Sequence, residues 1–162
     1  MKVSFRTRRN QYLYQETKYK FISFQIYKLW FAVPIHQVLK VIINENSILE
    51  KVTSEKAITN YKGEEIVVLN VMKYLFNQNK NLNIMHRQQP HLLLFKNNYN
   101  DYTLGLPIDS QPKIIEAQKS NFKKLSEKCD QIGYITLYSN KAIKKENHPL
   151  YIILDPEKMI IH

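Results

Sequence analysis

The sequence predicts an all-β protein built of small barrels, and three observations carry that reading. β-branched and aromatic runs recur at intervals near ten residues along the chain. No apolar stretch of helical period is long enough to serve as the crossover that parallel βαβ units need. The chain also repeats itself. Ala32-Val33-Pro34-Ile35 followed by Lys40-Val41-Ile42 returns as Gly105-Leu106-Pro107-Ile108 followed by Lys113-Ile114-Ile115. Ile66-Val67-Val68-Leu69-Asn70, leading to Lys73 and Leu75, returns as Tyr151-Ile152-Ile153-Leu154-Asp155, leading to Lys158 and Ile160. Two copies predict two similar modules packed together, which shifts the expectation from catalysis toward binding.

Residues 1–18 hold few aliphatics and no clear period, and read as a basic extension, with the folded domain running from 19 to 162. Residues 21–27 and 29–33 read as a hairpin ended by Pro34, which cannot donate to a sheet ladder. A short turn or helical piece at 35–38 leads to a strand at 39–43, broken by the polar run 44–47. Residues 58–61 and 65–69 flank Lys62-Gly63-Glu64, a tight connection in which Gly63 takes positive φ at little cost. Residues 71–76 have helical spacing but are few. The asparagine-rich run 77–89 fits a connection between the modules.

The second module reads as strands at 91–95 and 102–106, its hairpin again ended by a proline, Pro107. Further strands are expected at 113–117, 132–138 and 150–154, with a polar insertion at 139–149. A two-residue segment, Asp109-Ser110, reads as a turn whose side chains bond local backbone groups. The pair Glu64-Glu65 reads as a solvated hairpin tip, since neighbouring strand residues point to opposite faces.

At 162 residues the chain fits one ordinary domain. A chain of that length buries about 70% of its extended surface on folding, so no disulfide network or structural metal is required. Cys129 is the only cysteine, which excludes an intrachain disulfide and suits a reducing compartment. No secretory signal and no transmembrane run are apparent, so a cytoplasmic protein is expected. The net charge is +10. Lys2, Arg6, Arg8, Arg9, Lys18 and Lys20 against Glu16 place half of that excess in the first twenty residues. The other half is spread thinly as lysine and forms no cluster along the sequence.

Few residues suit an enzyme. With Gly63, Gly105 and Gly133 as the only glycines, no phosphate-cradling loop or dinucleotide fingerprint can be assembled. The histidines, His36, His86, His91, His148 and His162, lack metal-ligand spacing, and no metal or cofactor is expected. No nucleophile motif supports a hydrolase, although triad members meet only in space.

The order of hairpin, Pro-Ile, apolar strand, Asn-x-basic-Gly and a second apolar strand closed by Asn or Asp resembles the CheW family of chemotaxis coupling proteins. The likeness runs from about residue 19 to 160. Phe24, Ala32-Val33-Pro34-Ile35, Val38 and Val41-Ile42 look like the family's opening segment. Asn60-Tyr61-Lys62-Gly63 stands where the family carries Asn-Leu-Arg-Gly. Leu104-Gly105-Leu106-Pro107-Ile108-Asp109 matches its Gly-Leu-x-Val-Asp segment, and Ile132-Gly133 with Ile153-Leu154-Asp155 matches its close.

The resemblance implies two pseudo-symmetric five-stranded SH3-like barrels, interleaved in the chain, with short helices and no active site. It implies an adaptor joining the regulatory domain of a CheA-type histidine kinase to the cytoplasmic tip of a chemoreceptor-like protein, without cofactor or small-molecule substrate. By the same carry-over Ile35, Val38, Lys40, Val41, Asn60, Lys62 and Gly63 are expected to face partners. Ile35, Val38 and Val41 could equally fill a barrel core. The family often has Glu at the position of Lys40 and Arg at that of Lys62, an ion pair that two lysines cannot form. A glycine turn usual in its first hairpin is replaced by Tyr27-Lys28-Leu29. A nucleic-acid-binding barrel is the alternative expectation, resting on the basic arm and eleven tyrosines.

Overall fold

The first hairpin forms where β-branched and aromatic residues flank a two-residue break. Strands β1 (Lys18–Ile26) and β2 (Leu29–Pro34) pair antiparallel, with Phe24 opposite Phe31 and Ile26 opposite Leu29. This computed structural model describes residues 16–43, 51–52, 56–69, 90–95, 102–125 and 138–159. After a 3-10 turn (Ile35–Gln37) come β3 (Val38–Ile43), β4 (Lys51–Val52), β5 (Lys56–Tyr61) and β6 (Glu64–Leu69). A second hairpin, β7 (His91–Phe95) and β8 (Thr103–Ile108), precedes β9 (Lys113–Gln118), a 3-10 turn (Lys119–Asn121) and β10 (Phe122–Lys124). The described chain closes with β11 (Tyr138–Ile143), β12 (Tyr151–Leu154) and a 3-10 turn (Pro156–Met159).

The twelve strands among the described residues form two six-stranded sheets with hydrogen-bond orders β10-β11-β12-β2-β1-β9 and β4-β5-β6-β8-β7-β3. These are one order used twice. Each repeat gives its hairpin to one sheet and its later strands to the other, so the copies are interleaved rather than laid side by side. In both sheets the second hairpin strand also pairs in parallel with a late strand: β12 lies beside Trp30 to Ala32, and β6 beside Thr103 to Gly105. Each sheet is thus five strands plus a short sixth at one edge, Lys51–Val52 or Phe122–Lys124.

Pleating sorts the side chains into three cores. Phe21, Ala32, Ala117, Ile143, Tyr151 and Ile153 fill the first sheet's own interior, and Ile42, Ala57, Ile66, Val68, Leu92 and Leu94 fill the second's. Alternate residues of the same strands, including Phe24, Phe31, Val67, Leu69, Leu93, Phe95, Ile152 and Leu154, pack between the sheets. That is why residues 66–69, 92–95 and 151–154 read as unbroken apolar runs. One face of each lines its own barrel and the other meets the neighbouring one.

The first sheet curls until its ends approach, so that Phe122 of β10 lies edge-on to Tyr19 and Phe21 of β1 at 5.7 and 5.9 Å between ring centroids. The expected all-β architecture of two barrels is therefore the one observed.

Three local expectations are corrected. Pro107 does not end its strand, because β8 continues to Ile108 and Pro107 pairs with Leu92. Its missing N–H is tolerated because β6 accompanies β8 only as far as Gly105. The supposed polar insertion at 139–149 contains most of β11, whose Ala142 and Ile143 are buried after an irregularity in the pairing with β12. Asp109 and Ser110 bond not their local backbone but the first hairpin. Ser110 Oγ accepts the Gln25 N–H at 2.8 Å, an Asp109 carboxylate oxygen accepts the Tyr27 N–H, and the Asp109 N–H donates to Gln25 O at 2.8 Å.

Strands β4 and β10 had no forerunner in the sequence pattern. The expected helical piece at 71–76, the connection at 77–89 and the strand at 132–137 lie outside the described residues.

Candidate partner interface

Strand β3 is an edge strand, and its side chains divide between burial and display. Val38 is buried in the core between the sheets, and Val41 is half-buried against the same core. Ile42 enters the second barrel's interior, while Leu39 and Ile43 are exposed. A register shift between Val38, opposite Phe95, and Lys40, opposite Leu94, leaves Leu39 as the extra residue and resets the alternation. As a result Lys40 shares the face of Ile42 and points along the barrel interior toward its mouth.

At that mouth stands the hairpin turn between β5 and β6. Lys62 at φ 52° and Gly63 at φ 84° supply the two left-handed residues that a type I′ turn requires. The side-chain oxygen of Asn60 accepts the Gly63 N–H at 3.0 Å, so Asn60 and Gly63 build the turn that presents Lys62. Tyr61 lies half-buried against the second barrel's core, with Lys40 Nζ 4.9 Å and Lys62 Nζ 5.3 Å from its ring centroid. A cation near a ring face is attracted by the aromatic quadrupole. Lys40 comes from one edge strand and Tyr61 from next to the opposite edge, so their contact spans the mouth of the barrel.

Of the seven expected partner-facing residues, Lys40, Asn60, Lys62 and Gly63 therefore converge. Ile35 is half-buried in the 3-10 turn between β2 and β3, and Val38 and Val41 serve the core. Among the described residues neither Lys40 nor Lys62 faces a carboxylate partner; the ion pair present there joins Lys18 to Glu116 at 3.4 Å. Tyr61 is the site residue that the sequence reading passed over. Its signal is position, an aromatic between the turn-forming Asn60 and Lys62.

Among the described residues no three His, Cys, Asp or Glu side chains converge in a way that could hold a metal ion, and no helix is long and apolar enough to cross a membrane. Two interleaved small barrels with a polar, turn-built cluster at one barrel mouth define a protein that presents surfaces.

Comparison with known families is specific: the chain belongs to the CheW-like domain family, whose model matches residues 20–162. Among solved structures it resembles the scaffolding protein TtCheW from Thermoanaerobacter tengcongensis, with a TM-score of 0.64 and 13% sequence identity over 88% of each chain. At that identity the likeness establishes the fold. No curated protein sequence matches the chain.

Proposed function

We propose that this chain is a non-enzymatic cytoplasmic adaptor of two-component signal transduction. It couples a CheA-type histidine kinase, through the kinase's regulatory domain, to the cytoplasmic tip of a chemoreceptor-like protein in chemotaxis or phototaxis. Membership of the CheW-like family across residues 20–162 carries this reading. The surface assigned to partners is the Pro-Ile turn and β3, with Ile35, Val38, Lys40 and Val41, together with the turn of Asn60, Lys62 and Gly63. An exposed turn held by its own side-chain hydrogen bond can change its charge without disturbing the core, which suits partner choice.

The test is a pull-down with the kinase and receptor of the same cell. Retention of either at physiological salt supports the adaptor. If neither is retained while oligonucleotides bind with a steep salt dependence, the nucleic-acid reading replaces it. Lys62→Glu examines the site itself: partner binding is expected to change by about ten-fold or more with little change in melting temperature. Unchanged binding removes the turn from the interface.

A further inference from the structure

The fold gathers lysines that the sequence scatters. Strands β10 and β11 pair antiparallel, with Phe122 opposite Ile143, Lys123 opposite Ala142 and Lys124 opposite Lys141, and the Lys144 N–H extends the ladder to Asn121 O at 2.9 Å. This ribbon and its leading 3-10 turn carry Lys119, Lys123, Lys124, Lys141, Lys144 and Lys145, and no carboxylate occurs in residues 119–125 or 138–145.

Three acids border the ribbon, fewer than its six lysines: Glu16 accepts the Ser120 N–H at 2.8 Å, Glu116 pairs with Lys18, and Glu146 follows Lys145 in the chain. Lys144 Nζ and Lys145 Nζ donate to the carbonyls of His148 and Glu116 at 2.6 and 2.8 Å, neutral acceptors rather than carboxylates. Lys124 and Lys141 are exposed and directly opposed across the ribbon. Like charges facing each other on neighbouring strands are destabilising. Protecting a short edge from aggregation needs only a lysine or two, so this density exceeds that role.

We infer that the β10–β11 ribbon is a second docking surface, distinct from the Lys40–Tyr61–Lys62 mouth, and that its occupant is an acidic segment of a partner protein. Charge complementarity selects an anionic occupant, and the residue types narrow its class. Every cation of the ribbon is a lysine, a point charge suited to dispersed carboxylates and lacking the planar fork with which arginine grips phosphate. The ribbon's Phe122 is turned inward against Tyr19 and Phe21 rather than offered as a platform for bases.

The probe is a fluorescent oligoglutamate peptide titrated against the full chain by anisotropy. An oligoglutamine peptide, a DNA duplex of equal charge and phosphatidylserine vesicles are titrated in parallel. The oligoglutamate is expected to bind with an affinity that falls steeply with salt, while the oligoglutamine does not bind. The double reversal Lys124→Glu/Lys141→Glu, at the directly opposed pair, should weaken binding about ten-fold or more. Lys28→Glu/Lys113→Glu, which changes net charge equally, should leave most of it.

Equal loss in both double variants would mean attraction by net charge alone and would overturn the assignment. So would tighter binding of the duplex or of the vesicles with the same dependence on Lys124 and Lys141. Because all four lysines are exposed, each variant is compared at matched melting temperature, with Lys124→Gln/Lys141→Gln as the milder form.

Discussion

Lys40 and Lys62 meet over a single ring: their amines lie 4.9 and 5.3 Å from the centroid of Tyr61, one reaching it from the edge strand β3 and the other from the β5–β6 turn. Where the family often places an acid and a base, this chain places two bases and an aromatic between them. Each cation–π contact is worth about 0.5–1 kcal/mol at an exposed site. Tyr61→Leu should therefore destabilise the protein by about 1–2 kcal/mol in urea unfolding. A double-mutant cycle of Lys40→Met with Tyr61→Leu should return a coupling of about 0.5–1 kcal/mol. A coupling near zero would mean that Tyr61 only packs.

The two described glycines resist substitution for different reasons. Gly63 has nothing within 4 Å of an added Cβ, but its φ of +84° is strained for other residues. A Cβ on Gly105 would stand 3.0 Å from Ile66 Cγ2 and 3.1 Å from the Leu92 methyls, inside the second barrel. Gly63→Ala should cost about 1 kcal/mol, while Gly63→Asn should recover much of that, since asparagine tolerates the left-handed region. Gly105→Ala should cost about 1–3 kcal/mol through overpacking. Gly105→Asn should be worse, and Leu92→Val, which has no δ methyls, should relieve Gly105→Ala in part. Denaturation midpoints of these variants separate the two causes.

Asp109 and Ser110 fasten the end of the second hairpin to the turn of the first. Tyr27 sits at φ 55°, a position where the family's usual glycine would rest without strain, and its N–H is held by the Asp109 carboxylate. Asp109→Ala should lower stability by about 1.5–3 kcal/mol and Ser110→Ala by about 0.5–1.5 kcal/mol, the charged acceptor being the stronger. Asp109→Asn, which keeps an acceptor oxygen, should fall between wild type and Asp109→Ala. Equal losses for the two Asp109 variants would show that the charge, not the acceptor, holds the turn.

Patterns that repeat survived the passage from sequence to structure, and features set by one residue or by long-range pairing did not. The doubled Pro-Ile segments mark strands of equivalent place because burial on both faces demands the same apolar run in each copy. Their interleaving into opposite sheets is a matter of pairing, which period cannot express. Strands β4 and β10 escaped notice because two or three residues carry no period, and β10 spends two of its three positions on lysine. The Asn60-x-Lys62-Gly63 turn was legible because turn chemistry is local. The meeting of Lys40 with Tyr61 was not, since it depends on a register shift at Leu39 and on closure of the barrel. The lysine ribbon was hidden in the same way, its two strands being separated along the chain.

Alkaline pH should loosen the protein at two tyrosines. Burial, with the Asp109 carboxylate adding to it, pushes the Tyr27 phenol above its ordinary value of 10.0, and burial alone does so for Tyr151. In each case the folded protein holds the proton more tightly than the unfolded chain does. The stability that belongs to the neutral phenols is therefore present in full below pH 10 and is lost as pH rises through the folded values. Tyr151 packs edge-on to Trp30 at 6.0 Å and lines the first barrel, so its ionisation would set a charge against an apolar wall. Tyr151→Phe should flatten the alkaline fall in stability measured by urea unfolding across that range. Asp109→Asn should bring the phenolate absorbance transition of Tyr27 downward while leaving that of Tyr151 in place. Titration of both phenols at the free-tyrosine value, with stability unchanged across it, would show that neither environment resists ionisation.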